Sequence, residues 1–368
     1  MKTSLLQFNE TSLTLASDLL KNNEIVALPT ETVYGLAGNA FEETAIQKIF
    51  EAKERPAFDP LIVHISKNYL FDSIGILKAL VRDGILDKKI LDFPVAKKIT
   101  DAMNHFWPGP LTFILPCGDK ISQKVTHSQK WVGIRCPNHS VFQAVLSLVS
   151  FPLAAPSANR FGRISPTEAS HVLSELNGKI PAILDGGPSE VGLESTIIRI
   201  DDPFKVTLLR PGKISASELK SVFQIEILSG QSLLEAVALS QITPGSLSEH
   251  YAPTKPLFLF PSSFSDPTIV DFFIKNKLNK DLGLLCFAQA PNLSSSIHVS
   301  KISILSPKAD LDEAARLLFK KMRELDEDKK VITLVADLPE PLYLGLGAAI
   351  ADRLRRASRN KPVLVFSS

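Results

Sequence analysis

The chain has 368 residues, 45% hydrophobic and 22% charged, with a formal net charge of +2. That balance predicts a soluble globular protein with one large domain or two ordinary ones, and it gives no support to a general nucleic-acid or membrane surface. Its three cysteines, Cys117, Cys136 and Cys286, have neither C-x-x-C nor metal-ligand spacing, which points away from a disulfide framework or structural zinc and toward a reducing cytoplasm. The first residues, MKTSLLQFNETS, lack the apolar core of a signal peptide, and no apolar run approaches the roughly 20 residues that span a bilayer.

Residues 12–22 read as an amphipathic helix, with Leu13, Ala16, Leu19 and Leu20 on one side. Ile25 to Leu28 and Leu61 to Ile65 read as short buried strands enclosing a polar stretch with one helix. Thr44 and Gln47 have capping-box spacing, and Ile46, Ile49 and Phe50 form the apolar stripe. Pro56 ends that helix, so Lys53 falls in its last turn and Arg55 just beyond. Each residue alone is compatible with a solvated surface. Together, the cations and the hydroxyls of Thr30, Thr32 and Tyr34 suit phosphate binding.

Residues 68–105 read as helical with breaks at Gly75, Gly84 and Pro94, before a Trp107-Pro108-Gly109-Pro110 turn. Strands are expected at 111–115, 131–135, 153–155, 183–185 and 206–210, and a helix at 140–149. Ser165, Pro166 and Glu168 carry the signature of a helix start after a Ser/Asn/Gly loop, and Ser215 with Glu218 marks another. Residues 1–225 therefore predict one α/β domain with a sizeable mixed sheet. The proline-rich 226–256 reads as a linker, although Tyr251 suits a docking contact better than a spacer. Apolar runs at 257–260, 282–287 and 331–335, with helices at 310–327 and 347–358, predict a second, parallel α/β domain over 257–368.

No G-x-x-x-x-G-K-[ST] or H-E-x-x-H occurs, Gly187-Pro188-Ser189-Glu190-Val191 fails the nucleophile-elbow pattern, and Gly345-Leu346-Gly347 is half of a dinucleotide fingerprint. What remains is a polar set at strand ends: Thr32, Lys53, Arg55, His64, Arg135, Ser157, Asn159, Thr167, Ser195, Thr196 and Arg210. Open α/β sheets place their ligand crevice there. Four cations and many hydroxyls suit a nucleoside triphosphate beside a small polar substrate.

PTETVYGL, K-x-RP-x-x-x-PL-x-x-H, WPGPLT, SAN-x-x-G-x-x-SPT, DGG, G-x-ESTI and LRPG occur in this order over residues 1–215. The chain thereby closely resembles the threonylcarbamoyl-AMP synthases of the YrdC/Sua5 family, and HYAP and ADRLRRAS resemble its longer, two-domain Sua5 type. The resemblance implies an α/β protein: a YrdC-like catalytic domain (1–225) with a large twisted mixed sheet, a linker (226–256) and a smaller Rossmann-like parallel Sua5 domain (257–368). It implies a nucleotidyltransferase that makes L-threonylcarbamoyladenylate and pyrophosphate from L-threonine, bicarbonate and ATP, with Mg²⁺ on the phosphates. The product would feed downstream transferase proteins for t6A at position 37 of tRNAs reading ANN codons, with at most a weak contact to tRNA itself.

By resemblance, Thr32, His64, Arg135, Ser157 and Thr196 would hold threonine, with Arg135 on its carboxylate. Arg55, Asp59, Asn159, Thr167, Arg210 and Tyr251 would contact ATP. Lys53 and Arg55 would supply catalytic charge at the phosphates. The sequence departs from the family pattern at Asp59, where Asn is usual, so a carboxylate faces the triphosphate unless Mg²⁺ or Arg55 intervenes. It departs again at Ser248-Glu249, where a basic residue is usual, and at Phe161, which is bulkier than the usual serine. The alternative reading is an RNA-binding or maturation factor of the same fold, whose cations hold tRNA backbone.

Overall fold

The computed structural model describes residues 2–56, 59–202, 205–224, 226–229, 250–260, 267–276, 278–338 and 345–358. The chain divides into two compact units. Met1–Phe161, Pro166–Glu190 and Glu194–Ser246 form the first; Gly162–Ser165, Val191–Leu193 and Leu247–Ser368 form the second.

The first unit is built on an 11-stranded mixed sheet. Its strands are β1 Ser4–Gln7, β2 Val26–Leu28, β3 Gly35–Asn39, β4 Ile62–His64, β5 Leu111–Pro116, β6 Trp131–Arg135, β7 Leu153–Ala154, β8 Ala182–Asp185, β9 Thr196–Asp202, β10 Lys205–Arg210 and β11 Glu226–Ser229. They lie in the order β1-β8-β2-β3-β7-β4-β6-β5-β9-β10-β11. β4 runs parallel to β6 and antiparallel to β7, which brings His64 level with both Arg135 and Leu153. β5 runs parallel to β9 and sets Leu111 opposite Thr196. These two registers gather the ends of β4, β6 and β9 at one place along the sheet.

Helices α1 Glu10–Lys21, α2 Glu43–Lys53, α3 Ile76–Arg82, α4 Ala96–Phe106, α5 Gln123–Thr126, α6 Ser140–Leu148, α7 Ala169–Leu176 and α8 Ala216–Phe223 accompany these strands. One buried cluster joins Ile46, Ile49 and Phe50 of α2 to Ile99 and Met103 of α4 and Phe113 of β5. A second joins Ala16 and Leu20 of α1 to Phe142 and Val145 of α6 and Leu28 of β2. Burial of such clusters at about 25 cal/mol per Å² is the main force holding helices on a sheet.

Two expected helix starts differ. The start of α2 is Glu42, which makes no side-chain cap, so the Thr44–Gln47 box does not form. The N-cap of α7 is Glu168 rather than Ser165. The Pro166 carbonyl accepts the Tyr34 N–H at 2.9 Å, so a long-range hydrogen bond holds this residue ahead of the helix. The Ser215–Glu218 box does form at the start of α8. At the domain boundary, Glu226–Ser229 pairs parallel with β10. The expected linker therefore begins after a strand of the large sheet, and its residues 230–249 lie outside the described residues.

The second unit carries a parallel sheet, β12 Leu257–Phe260, β13 Leu282–Cys286, β14 Val299–Ile304 and β15 Thr333–Asp337, in the order β12-β15-β13-β14. β14 went unread in the sequence because it is an edge strand with a mostly half-exposed pattern. Helices α9 Pro267–Lys275, α10 Leu311–Asp326 and α11 Gly345–Ala357 complete it. Asp310 caps α10 by accepting the Glu313 N–H. At the other end Asp326 accepts the Thr254 N–H at 2.9 Å, the Thr254 hydroxyl at 2.7 Å and the Lys255 N–H at 3.0 Å. Residues 250–256 are thus docked by hydrogen bonds, as a Tyr-bearing segment suggested. Among the described residues no helix is long and apolar enough to cross a membrane.

Candidate active site

The site is built around Arg135, at the end of β6, and is almost fully removed from solvent. Its Nε donates to the Gly109 carbonyl at 3.2 Å and its Nη1 to the Thr32 hydroxyl at 2.8 Å. The WPGP turn supplies that carbonyl. Within the turn a Cβ at Gly109 would stand 2.3 Å from the Phe106 carbonyl oxygen, so only glycine fits. The neighbouring Pro110 carbonyl accepts the Thr196 N–H at 2.9 Å, so one turn ties Arg135 to Thr196. Gly212 of the LRPG run is needed for the same reason: its Cβ would lie 2.5 Å from the Thr196 nitrogen.

Thr32 is held from the other side. Its hydroxyl lies 2.8 Å from that of Thr30, which donates to the Val33 carbonyl at 2.6 Å and accepts from the Thr32 N–H at 3.1 Å. The PTET run is therefore a folded hydroxyl turn beneath a guanidinium. His64 lies across the strand pair from Arg135, 3% exposed and with its ring 5.2 Å from Phe142. Burial, reinforced by the Arg135 charge, pulls its pKa down to about 3, so the imidazole is neutral. Its Nδ1 has no hydrogen-bond partner among the described residues. Ser157 is half-buried and bridges Gly35. Thr32, His64 and Arg135 thus share one buried polar neighbourhood. Thr196 is joined to it through the turn, although its hydroxyl is bound by Ile214, donating to the carbonyl at 2.9 Å and accepting the N–H at 3.1 Å.

The cations expected on the phosphate side are buried and have partners within the protein. Lys53 is 1% exposed, and its Nζ donates to the Ser157 carbonyl at 2.5 Å and the Asn159 carbonyl at 2.6 Å. The Lys53 carbonyl in turn accepts the Phe161 N–H at 2.8 Å. Burial and the neighbouring Arg55 charge hold its pKa well below the ordinary lysine value. Lys53 therefore supports the SAN loop from beneath. Arg55 donates to the Asp59 and Pro60 carbonyls at 3.2 and 2.9 Å, pairs with the Asp59 carboxylate, and lies over the Phe161 ring at 6.0 Å.

Asn159 donates to the Arg160 carbonyl at 2.7 Å. The Thr167 hydroxyl lies 3.4 Å from His171 Nδ1, and the Thr167 carbonyl accepts the Ser189 N–H at 2.9 Å. Arg210 is 5% exposed, with Nε on the Ser195 carbonyl at 3.0 Å and Nη2 on the Ser195 hydroxyl at 3.1 Å; that hydroxyl is also 2.7 Å from the Thr112 hydroxyl. Tyr251 belongs to the second unit. There it is fully buried, stacked on Phe319 at 5.4 Å with Arg353 5.5 Å above its ring.

Glu31 is the residue the sequence reading passed over. It is buried, and its Oε1 lies 2.7 Å from Arg135 Nη2. The available signal was an acid inside a stretch whose neighbours are otherwise apolar or hydroxylic, since a charge buried in such surroundings requires a partner.

Family models match both parts of the chain. One described as "Telomere recombination", for the Sua5, YciO and YrdC proteins, covers residues 18–212, and one described as "Threonylcarbamoyl-AMP synthase, C-terminal domain" covers residues 214–359. The chain is 36% identical to the threonylcarbamoyl-AMP synthase of Bacillus subtilis, over 97% of this chain and 96% of the relative. It is 34% identical to that of Pyrococcus abyssi, over 96% and 95%. The crystal structure of P. abyssi Sua5 complexed with L-threonine superposes with a TM-score of 0.80 at 32% identity, covering 97% of this chain and 98% of that one. On the motifs, the two-unit architecture and these full-length likenesses, the chain belongs to the threonylcarbamoyl-AMP synthase family, in its two-domain Sua5 form.

Proposed function

We propose that this protein joins L-threonine, bicarbonate and ATP into L-threonylcarbamoyladenylate, with release of pyrophosphate, for t6A formation in tRNA. The observation that carries the reading is the buried Arg135–Thr32–His64 neighbourhood, in a chain whose full-length relatives are threonylcarbamoyl-AMP synthases. A guanidinium fork matches a carboxylate in two dimensions. A neutral imidazole with an open Nδ1 can donate to or accept from a hydroxyl or amine, according to its tautomer.

The chemistry asks for placement more than for a nucleophilic side chain. The amine nitrogen attacks the bicarbonate carbon and water leaves, giving the carbamate. A carbamate oxygen then attacks the α-phosphorus, and pyrophosphate departs. Holding the partners in line and neutralising charge supply most of such a rate enhancement. Arg55 and Arg210 are the guanidinium groups for the phosphates, on the two arms of the polar set. The SAN loop that Lys53 braces would carry Asn159 to the nucleotide. Tyr251, carried by the second unit, would add a contact to the nucleotide.

Among the described residues no group of three or more His, Cys, Asp or Glu side chains could hold a metal ion. Mg²⁺ carried on the triphosphate would neutralise phosphate charge, with Asp59 the carboxylate adjoining Arg55. Bicarbonate, the downstream transferase proteins, a cytoplasmic location and any weak tRNA contact are part of the same proposal. The test is pyrophosphate release by purified protein with ATP, Mg²⁺ and bicarbonate. Release should depend on added threonine, and threonine-independent release would overturn the reading.

A further inference from the structure

Glu31 has no part in the function as described, yet it is the carboxylate closest to its centre. It is 3% exposed. Its Oε1 lies 2.7 Å from Arg135 Nη2, with both side chains 4% exposed. The contact is an ion pair without hydrogen-bond alignment: neither Glu31 oxygen nor Arg135 Nη2 has a hydrogen-bond partner among the described residues. That is unusual for a buried carboxylate, which ordinarily accepts several hydrogen bonds. Its lone pairs and the Nη2 hydrogens are both open.

Charge decides what completes them. Arg135 and Glu31 together are neutral, the adjacent His64 is neutral, and Thr30 and Thr32 carry only hydroxyls. Burial pulls the pKa of the nearby His139 down, and burial pushes the Cys136 thiol up to about 12, so neither adds a charge at neutral pH. A net anion or cation placed there would be buried without full compensation, which is costly. A molecule that is neutral overall but carries both charges side by side has no such cost. The zwitterion of an α-amino acid is one.

We propose that Glu31 binds the ammonium group of L-threonine while Arg135 binds its carboxylate, so that the substrate closes a four-charge ring on a preformed ion pair. The assignment rests on the threonine reading of the site. It makes Glu31 a substrate-binding residue and explains why a carboxylate is kept beside the guanidinium that must receive another carboxylate.

The test is calorimetric titration of the full-length protein with L-threonine and with 3-hydroxybutanoate, which is threonine without its amine. Wild type should bind threonine about 10- to 100-fold more tightly than the deaminated analogue, the worth of one charge-assisted hydrogen bond. Glu31→Gln should weaken threonine by that factor and leave 3-hydroxybutanoate within about 3-fold, whereas Glu31→Asp, which keeps the charge, should recover part of the discrimination. Equal weakening of both ligands by Glu31→Gln would mean that the acid only positions Arg135, and would overturn the assignment. So would equal binding of the two ligands by the wild-type protein, a comparison that needs no variant to fold. Failure of wild type to bind threonine at all removes the function reading itself, and this inference with it.

Discussion

Arg55 and Asp59 are joined by an ion pair of 2.7 Å whose side chains are 3% and 2% exposed. The cation that the sequence assigns to ATP is therefore already neutralised in the free protein, by the one residue of its motif that departs from the family pattern. A carboxylate beside a triphosphate is repulsive, and the guanidinium is what makes it tolerable. Under the proposed function, ATP and Asp59 would compete for the same Arg55 donors.

Asp59→Asn relieves that competition and removes the counter-charge of a buried arginine. The variant should bind ATP about 10-fold more tightly and unfold more easily by about 3 kcal/mol. ATP titration and urea denaturation check the two halves. Unchanged ATP affinity would show that Asp59 stays on Arg55 throughout.

Lys53→Met removes an amine nitrogen that donates to two loop carbonyls, at 2.5 and 2.6 Å. Losing these two hydrogen bonds should cost about 1–3 kcal/mol. It should also raise amide exchange over residues 157–161 more than elsewhere and lower kcat/KM through the loosened loop. Lost activity with exchange at 157–161 unchanged would instead favour a direct part for Lys53 in the chemistry.

His64 sets a pH dependence of stability. Its folded pKa is about 3, below the ordinary 6.5, so below pH 6.5 the unfolded chain binds a proton that the folded chain refuses. Stability from this group is fully present above pH 6.5 and is lost as pH falls toward 3, at about 1.4 kcal/mol per pH unit. His139, whose pKa burial also lowers, contributes with the same sign. Urea midpoints measured between pH 7 and 4 should show the slope, and His64→Gln should make it shallower by about one proton's worth.

The threonine pocket should be selective against a missing hydroxyl. Thr32 and His64 are buried polar groups that a valine side chain cannot satisfy, so valine should support turnover roughly 10⁴-fold less well. Serine, which keeps the hydroxyl and lacks one methyl, should lose only about 1–3 kcal/mol. Competition assays of pyrophosphate release measure both ratios, and equal turnover of valine would show that these groups do not read the hydroxyl.

Much of the architecture was legible before any coordinates. Alternation of apolar runs with amphipathic stripes placed α1, α2, α6 and α8 within two or three residues, and Pro56 did end α2 before Arg55. Ser215 read correctly as a cap because its hydrogen bond is local, made within three residues. Thr44 and Ser165 carried the same local signal and failed. One residue after Ser165 the Pro166 carbonyl is taken by the Tyr34 N–H, and that long-range hydrogen bond outweighs a cap worth about 1 kcal/mol. Strand β14 escaped because an edge strand buries too little to show a period.

The PTET stretch shows the same division at the site. By itself the sequence determined which residue types stand at the strand ends, since polar groups among apolar runs are costly to keep there without a purpose, and through its motifs it determined the family. Only the tertiary structure decided what each charge faces. Lys53 turned inward to hold a loop, Arg55 was paired by Asp59, and Glu31 was set against Arg135 across 104 residues of chain. The physical reason is that a buried charge takes its meaning from its nearest partner, and that partner is chosen by strand register and packing rather than by position along the chain.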